Sequence, residues 1–155
     1  MRRSDREITD LDKIVDIIRK CDVCRLAFFD DDYPYIVPLN FGLSYQDNII
    51  TLYFHGAREG KKLDLLRKNN KVCFEMDCSH QLVTGDLACE YSMNYESVIG
   101  FGCLTVLENT EKRMALDAMM QQYTKDMNFT YDDRALNAVT VFKLTVDQVT
   151  GKHRI

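Results

Sequence analysis

Short apolar runs separated by turn-forming clusters are the feature that most constrains how this chain can fold. One run covers residues 26–29 and is stopped by three aspartates and Pro34, after which a second run returns over 35–43. A β-branched and aromatic run follows at 49–54, after the turn residues 46–48. Runs of this kind bounded by turn formers predict strands joined as hairpins.

The rest of the chain adds strands more often than helices. Further strand-like runs lie at 72–76, 88–107 and 139–149, and glycines at 100 and 102 predict a bulge, or the close approach of another backbone, in the second of these. Helical spacing is limited to three short segments, and the first and last are predicted to be capped by Thr9 and Thr110. At least six strands and three helices predict an α+β fold built on an antiparallel, barrel-like sheet. A chain of 155 residues suits a single domain spanning 1–155.

Pro38 interrupts the returning arm of the first hairpin. Proline has no backbone N–H, so it cannot donate a ladder hydrogen bond in the middle of a sheet. The strand around Pro38 is therefore predicted to be an edge strand or to contain a bulge, with room for something other than a strand beside it.

Composition and charge exclude several classes of function. Hydrophobic residues make up 46% of the chain, which is typical of a folded globular protein. The 20 basic and 24 acidic residues give a net charge of −4, so nucleic acid is not an expected partner. No apolar run is long enough to span a membrane, and the charged N-terminus does not resemble a signal peptide. We expect a cytoplasmic protein without a membrane partner.

Six cysteines are expected to be reduced thiols in buried or edge positions. Cys21 and Cys24 have Cys-x-x-Cys spacing, but a second pair with that spacing is missing, which argues against a zinc site. A thioredoxin-like pair would stand where a strand enters a helix, whereas this pair follows a helix. No metal is expected, and the role of the pair stays open.

The segment between the strand at 49–54 and the next helix suits an anionic ligand. It contains His55, Gly56, Ala57, Gly60 and a pair of lysines at 61 and 62. Glycines let the backbone approach a ligand, and amides at a helix start together with lysine ammonium groups attract phosphate. The alternative is that both lysines lie in a solvated first turn, although the helix dipole disfavours cations there.

Three motifs in this order resemble those of a known family. They are the hairpin at 26–41, the segment Tyr53–Ala57 with Gly60-Lys61-Lys62, and Tyr95-x-Ser97-Val98-x-Gly100-x-Gly102. The sequence is similar to the pyridoxamine 5′-phosphate oxidase-related split-barrel proteins that bind flavin mononucleotide (FMN), in particular the nitroimidazole-resistance (NimA-like) branch. The resemblance implies a split β-barrel with a few peripheral helices, and a homodimer that holds two FMN molecules in clefts between subunits.

The resemblance also implies a set of cofactor-binding residues. Lys62 falls on the family's basic position and is expected to bind the phosphate, with Lys61 as its partner or substitute. The other expected cofactor contacts come from the strand arm beside the flavin ring and from the strand end near the phosphate. Ser97 is expected to reach the flavin from the opposite side or from the second subunit. The remaining expected contacts are Val37, Pro38, Leu39, Asn40, Phe54, His55, Gly56 and Ala57.

Several functions remain open at this point. The leading hypothesis is an FMN-dependent oxidoreductase, similar to a nitroreductase, that reduces a small planar acceptor such as a nitroaromatic compound. No protein acid or base is identified, because the cofactor carries the electron chemistry. The alternatives are a flavin-binding or sensing module without turnover and a heme-handling protein. Oxidation of vitamin B6 is not favoured, because the founding oxidase is longer and uses a tryptophan, whereas this chain has none.

Overall fold

The computed structural model describes residues 3–126 and 128–154. Within them, eight strands form one sheet and four α-helices surround it. The strands are β1 Glu7–Ile8, β2 Cys24–Phe28, β3 Tyr35–Leu39, β4 Gly42–Gln46, β5 Ile49–Ala57, β6 Lys71–Val83, β7 Ser92–Val106 and β8 Val139–Arg154. The helices are α1 Leu11–Lys20, α2 Lys61–Lys68, α3 Asn109–Tyr123 and α4 Asp133–Ala138.

The strand order explains why the sheet is a split barrel. The order is β3-β2-β6-β7-β8-β5-β4, every pairing is antiparallel, and β1 pairs with β8. β3 and β4 form opposite edges of the sheet, yet only Asn40 and Phe41 separate them along the chain. Two residues span so little distance that the sheet has to curl until its edges approach each other. The predicted antiparallel split barrel is confirmed.

Turn and bulge positions agree with the local sequence signals. Asp47 and Asn48 have φ angles of 52° and 62°, the conformation of a tight hairpin turn, and they join β4 to β5. The pairing of β7 with β8 shifts register between Phe101 and Gly102, where the sequence predicts a bulge. Gly102 is required there, since a Cβ atom would collide with the carbonyl oxygen of Thr145.

The main core lies inside the barrel. Phe54, Phe74 and Leu144 are fully buried there, and α1 closes one end with Ile14 and Ile18. A second, smaller cluster lies outside the barrel, where α3 packs on β5 and β8. Its buried residues are Tyr53, Leu107, Ala115, Met119 and Val141.

Gly42 lets α3 approach the barrel closely. A Cβ atom at this position would lie 2.5 Å from the amide nitrogen of Met119 and 2.6 Å from the carbonyl carbon of Ala118. Because these are backbone atoms, the helix would have to move to accommodate any side chain. α3 therefore packs against the backbone of β4 at this point.

Helix boundaries are where the sequence predictions were wrong. Asp10, not Thr9, caps α1, because its carboxylate accepts hydrogen bonds from the amides of Asp12 and Lys13. α3 begins at Asn109, one residue before the predicted cap Thr110, and α4 was not predicted. No helix of the described residues has the length and apolar character needed to cross a membrane.

The methionines of α3 differ from one another in burial. Met119 is buried, whereas Met114 and Met120 are 49% and 41% exposed. Neighbouring positions on a helix of 3.6 residues per turn cannot all face one surface. Of these three methionines, Met119 therefore enters the core.

Candidate functional site

The start of α2 offers backbone donors without a side-chain cap. Gly60 precedes the helix with a φ of 124°, a conformation that other residues rarely adopt, and its carbonyl accepts from the amides of Leu63 and Asp64. In the part of the chain that the structure describes, no side chain accepts a capping hydrogen bond from the first amides of α2. Because a helix start carries partial positive charge, these amides suit an anion.

Lys62 turns back from α2 onto β5. A Cβ atom added to Gly56 would collide with the Lys62 ammonium, so only glycine leaves room for this arrangement. Lys62 is half-buried, and no carboxylate of the described residues forms an ion pair with it. A partly desolvated ammonium without an anionic partner is a suitable place for a negatively charged ligand.

Lys61 has different contacts from Lys62. Its ammonium lies 2.5 Å from an oxygen of Asp30 and 4.8 Å from the centre of the Tyr35 ring. The hydrogen bond to Asp30 raises the pKa of Lys61. Lys61 therefore ties α2 to the β2–β3 hairpin, and its charge is already compensated.

His55 lies on β5 with its side chain on the outer side of the strand, next to the inward-facing Gly56. Partial burial of the ring and the nearby Lys62 ammonium lower the pKa of His55 from its ordinary value of 6.5. Phe54 is fully buried in the core, so its side chain is not available to a ligand, whereas Ala57 is exposed at the strand end. Gly56 and the Lys62 ammonium therefore lie on the inner side of β5 and His55 on its outer side, near the exposed strand end at Ala57; we call this group the Lys62 surface.

The second group of expected residues lies on β3. As predicted for Pro38, this strand is an edge of the sheet, and Pro38 itself is exposed. Val37 and Leu39 are partly buried and pack against the main core. The side-chain amide of Asn40 donates to the carbonyl of Asp22 at 3.3 Å. Pro38 and the backbone of β3 therefore provide the surface open to a ligand.

Ser97 lies apart from these residues. It is on β7, which is separated from β5 by β8 and from β3 by β2 and β6. Its partners across the sheet are Asp77 and Lys152. Within one protomer the fold does not bring Ser97 to the Lys62 surface, so any shared site requires a second copy of the chain.

Sequence reasoning missed the residues that hold the short connection between β3 and β4 in place. The Tyr123 hydroxyl donates to the carbonyl of Asp22 at 2.9 Å and accepts from the amide of Phe41 at 3.0 Å. Gln122 donates to the carbonyls of Arg19 and Cys21, both at 3.2 Å. These contacts join residues about a hundred positions apart, and no local sequence signal indicates them.

Sequence reasoning also missed an ion cluster on the outside of the barrel. Arg25 on β2 contacts Glu75 at 3.0 Å and also pairs with Asp77, which lies 2.8 Å from His80. Burial and the neighbouring Asp77 raise the pKa of Glu75. The sequence signal for this cluster was the presence of charged residues at alternate positions of a strand.

One cavity of the structure lies apart from the expected cofactor residues. It has a volume of about 760 Å³ and lies between the tip of the β2–β3 hairpin and the outer side of β7 and β8. Phe29, Tyr33 and Phe101 contribute aromatic surface, and Asp147 lies at its rim.

The cysteines form no disulfide, and they form no metal site within residues 3–126 and 128–154. Cys21 and Cys24 are buried, and burial raises the pKa of both thiols. They are therefore poor nucleophiles.

Comparisons with known proteins define the class to which this fold and surface belong. The family model described as pyridoxamine 5′-phosphate oxidase matches residues 10–153. The chain belongs to this family. No curated protein matches the sequence.

One solved structure has substantial sequence identity to the chain. It is a protein from Bacteroides thetaiotaomicron to which 5-nitroimidazole antibiotic resistance has been ascribed, 42% identical, with a TM-score of 0.81. The match covers 95% of this chain and 86% of that one. The predicted likeness to the nitroimidazole-resistance branch is confirmed.

More distant structures share the fold alone. A protein from Mycobacterium smegmatis that binds FAD and heme is 20% identical, with a TM-score of 0.82, and the match covers 96% of this chain and 73% of that one. A flavocytochrome from Azotobacter vinelandii is 16% identical, with a TM-score of 0.83 and coverages of 100% and 72%.

Proposed function

We propose that the protein binds FMN and is a cytoplasmic oxidoreductase that reduces a small planar acceptor of the nitroaromatic or nitroimidazole type. The observation that carries this proposal is the half-buried Lys62 ammonium above Gly56, which has no anionic partner among the described residues and lies next to the start of α2. The family match and the 42% identical protein linked to nitroimidazole resistance support the same conclusion.

The residues present fit the phosphate of FMN. Lys62 and the first amides of α2 offer a charged donor and neutral donors to an anion that carries up to two negative charges. Gly56 leaves the space that Lys62 occupies, which a Cβ atom would fill. Because its pKa is lowered, His55 is neutral near pH 7 and keeps one N–H donor for a phosphate or ribityl oxygen.

The remaining contacts would come from β3 and from a second subunit. Pro38 and the backbone of the β3 edge would lie beside the flavin ring, and Ser97 would reach it from the other subunit of a homodimer. When bound, FMN supplies the electron-transfer chemistry, while the protein orients it and excludes competing reactions. The reduced thiols of the six cysteines are consistent with the cytoplasm.

Anaerobic flavin spectroscopy tests this function. The protein loaded with FMN should lose its oxidised flavin absorption when NADH or NADPH is added and regain it when a nitroimidazole follows. Free FMN at the same concentration is the control for uncatalysed reduction. An FMN-loaded protein that neither nicotinamide reduces would overturn the enzymatic proposal and favour a binding or sensing module.

A further inference from the structure

Two cysteines that are far apart in the sequence lie side by side at the end of α1. The thiol of Cys21 donates a hydrogen bond to the carbonyl of Ile17 at 3.3 Å, and the sulfur of Cys78 on β6 lies 3.9 Å from the same oxygen. Burial and then the neighbouring Cys78 thiol, which is within hydrogen-bond reach, raise the pKa of Cys21. The two sulfur atoms are therefore close neighbours.

Cys24 occupies a different position, although it has Cys-x-x-Cys spacing with Cys21. It begins β2, where it lies opposite Leu39 of β3, and its side chain is fully buried in the main core. Cys21 instead contacts Ile17 and Cys78. The fold thus favours a pair of Cys21 with Cys78 over the pair that the sequence motif suggests.

Cys78 is the more accessible thiol of the pair. It is 9% exposed, whereas Cys21 is 2% exposed. Its sulfur lies 4.0 Å from a carboxylate oxygen of Glu96, and Lys20 donates to that oxygen at 2.8 Å. The carboxylate offers an acceptor for the thiol proton, while the ammonium offsets the negative charge beside the sulfur. A small oxidant should therefore react with Cys78 first.

The backbone around both cysteines is irregular. Cys21 is the C-cap of α1 and has an extended conformation, with a φ of −81° and a ψ of 144°. The pairing of β6 with β7 shifts register directly after Cys78, and Ser79 has a φ of 58°. A disulfide requires a specific separation and orientation of its two Cβ atoms. Because neither cysteine lies in the middle of a regular element, small backbone changes can provide that geometry.

We propose that Cys21 and Cys78 form a redox-sensitive site, which hydrogen peroxide converts reversibly into a disulfide. The Cys78 sulfur attacks one peroxide oxygen, the O–O bond breaks, and a sulfenic acid and one water form. The Cys21 sulfur then attacks the Cys78 sulfur, so that the S–S bond forms, the S–O bond breaks and a second water leaves. The two thiols together give up two hydrogen atoms, and the peroxide is reduced to two waters.

The order of these steps agrees with the burial of Cys21. A buried thiol with a raised pKa reacts poorly with molecules from solution. Cys21 acts second, on a sulfur that is already beside it, and this proximity takes the place of a collision. Disulfides of cytosolic proteins are usually transient and redox-sensing, so cellular thiols are expected to reverse the bond. The proposal does not depend on the FMN site.

Peptide mapping tests the bond directly. The natural chain is treated with hydrogen peroxide, blocked with N-ethylmaleimide and digested with a protease that cleaves before aspartate. Asp22 and Asp77 place the three cysteines 21, 24 and 78 on separate peptides. We expect the peptide of Cys21 to be joined to the peptide of Cys78, and dithiothreitol to restore both thiols.

Three alanine variants test the role of each thiol. Cys78→Ala should leave Cys21 as a thiol. Cys21→Ala should stop at the sulfenic acid, which dimedone labels on Cys78. Cys24→Ala is the matched control, because it removes a similarly buried thiol, and it should form the disulfide as the natural chain does. Circular dichroism checks that each variant is folded, and the map of the natural chain needs no variant.

Four results would overturn the proposal. The first is a bond between Cys21 and Cys24. The second is a natural chain in which Cys21 and Cys78 remain thiols at peroxide concentrations that oxidise the exposed Cys89. The third is oxidation of Cys78 to sulfinic acid without a bond to Cys21, and the fourth is loss of the disulfide in Cys24→Ala. FMN binding, measured on the same samples, tests the proposed function separately.

Discussion

At the scale of single residues, the position of the Lys62 side chain depends on the space left by Gly56. Replacing Gly56 with Ala would push the Lys62 ammonium away, and this costs little stability because the atoms displaced are the end of a flexible side chain. FMN affinity should fall by about tenfold, the lower end expected for loss of a hydrogen bond to a charged group. Riboflavin affinity should change little.

Fluorescence titration of both flavins with Gly56→Ala measures this effect, and urea unfolding checks that stability is retained. Equal weakening of FMN and riboflavin binding would contradict a specific effect on the phosphate. In that case the Cβ atom would disturb the flavin surface in general.

His55 makes stability depend on pH. Its pKa in the folded protein is below 6.5, so the unfolded chain binds the proton more readily. Stability should therefore decrease as the pH falls from about 7 through the unfolded pKa, and the loss should be smaller in His55→Gln. Urea unfolding at several pH values measures the difference, and parallel pH profiles for the two proteins would contradict it.

At the scale of secondary-structure elements, Tyr123 links α3 to the connection between β3 and β4. Replacing Tyr123 with Phe removes the bridge between Asp22 and Phe41 and leaves a partly buried amide unsatisfied. We expect a loss of about 1–3 kcal/mol in the free energy of unfolding. Tyr33→Phe is the control, since Tyr33 is 79% exposed. Denaturant unfolding that gives equal stabilities for both variants would contradict the role of the bridge.

The elements differ in how well the sequence predicts them. The edge strand at Pro38 and the turn at Asp47 and Asn48 could be predicted from the local sequence. Each depends on the backbone chemistry of its own residues. The connection between β3 and β4 at Phe41 could not be predicted locally, because it depends on a hydrogen bond to Tyr123, which lies 82 positions away in the sequence. α4 escaped prediction because six residues are too few to show helical periodicity.

The candidate site, too, could be predicted from the sequence only in part. The two lysines predict an anion site at the loop, but only the resemblance to the family, which assigns the phosphate to Lys62, distinguishes their roles at the level of sequence. In the fold, Asp30 neutralises Lys61, while Lys62 lies over Gly56 and forms no ion pair within residues 3–126 and 128–154. That difference depends on a hairpin far from the loop in sequence, so it becomes visible only in three dimensions.

At the scale of the whole molecule, the split barrel separates the expected flavin contacts. One protomer presents the Lys62 surface beside the β3 edge, and Ser97 lies several strands away. A homodimer would bring the two together. The proposed function thus depends on the Lys62 surface of one protomer and on Ser97 from a second copy of the chain.

The central claim is that FMN is held by its phosphate on Lys62, and the ratio of FMN to riboflavin affinity tests it most directly. Lys62→Ala should weaken FMN binding by about 1.5–3 kcal/mol, or roughly 10- to 150-fold, and leave riboflavin binding nearly unchanged. Lys61→Ala is the matched control and should have a smaller effect, because Asp30 already neutralises Lys61. An unchanged affinity ratio in Lys62→Ala would contradict the account.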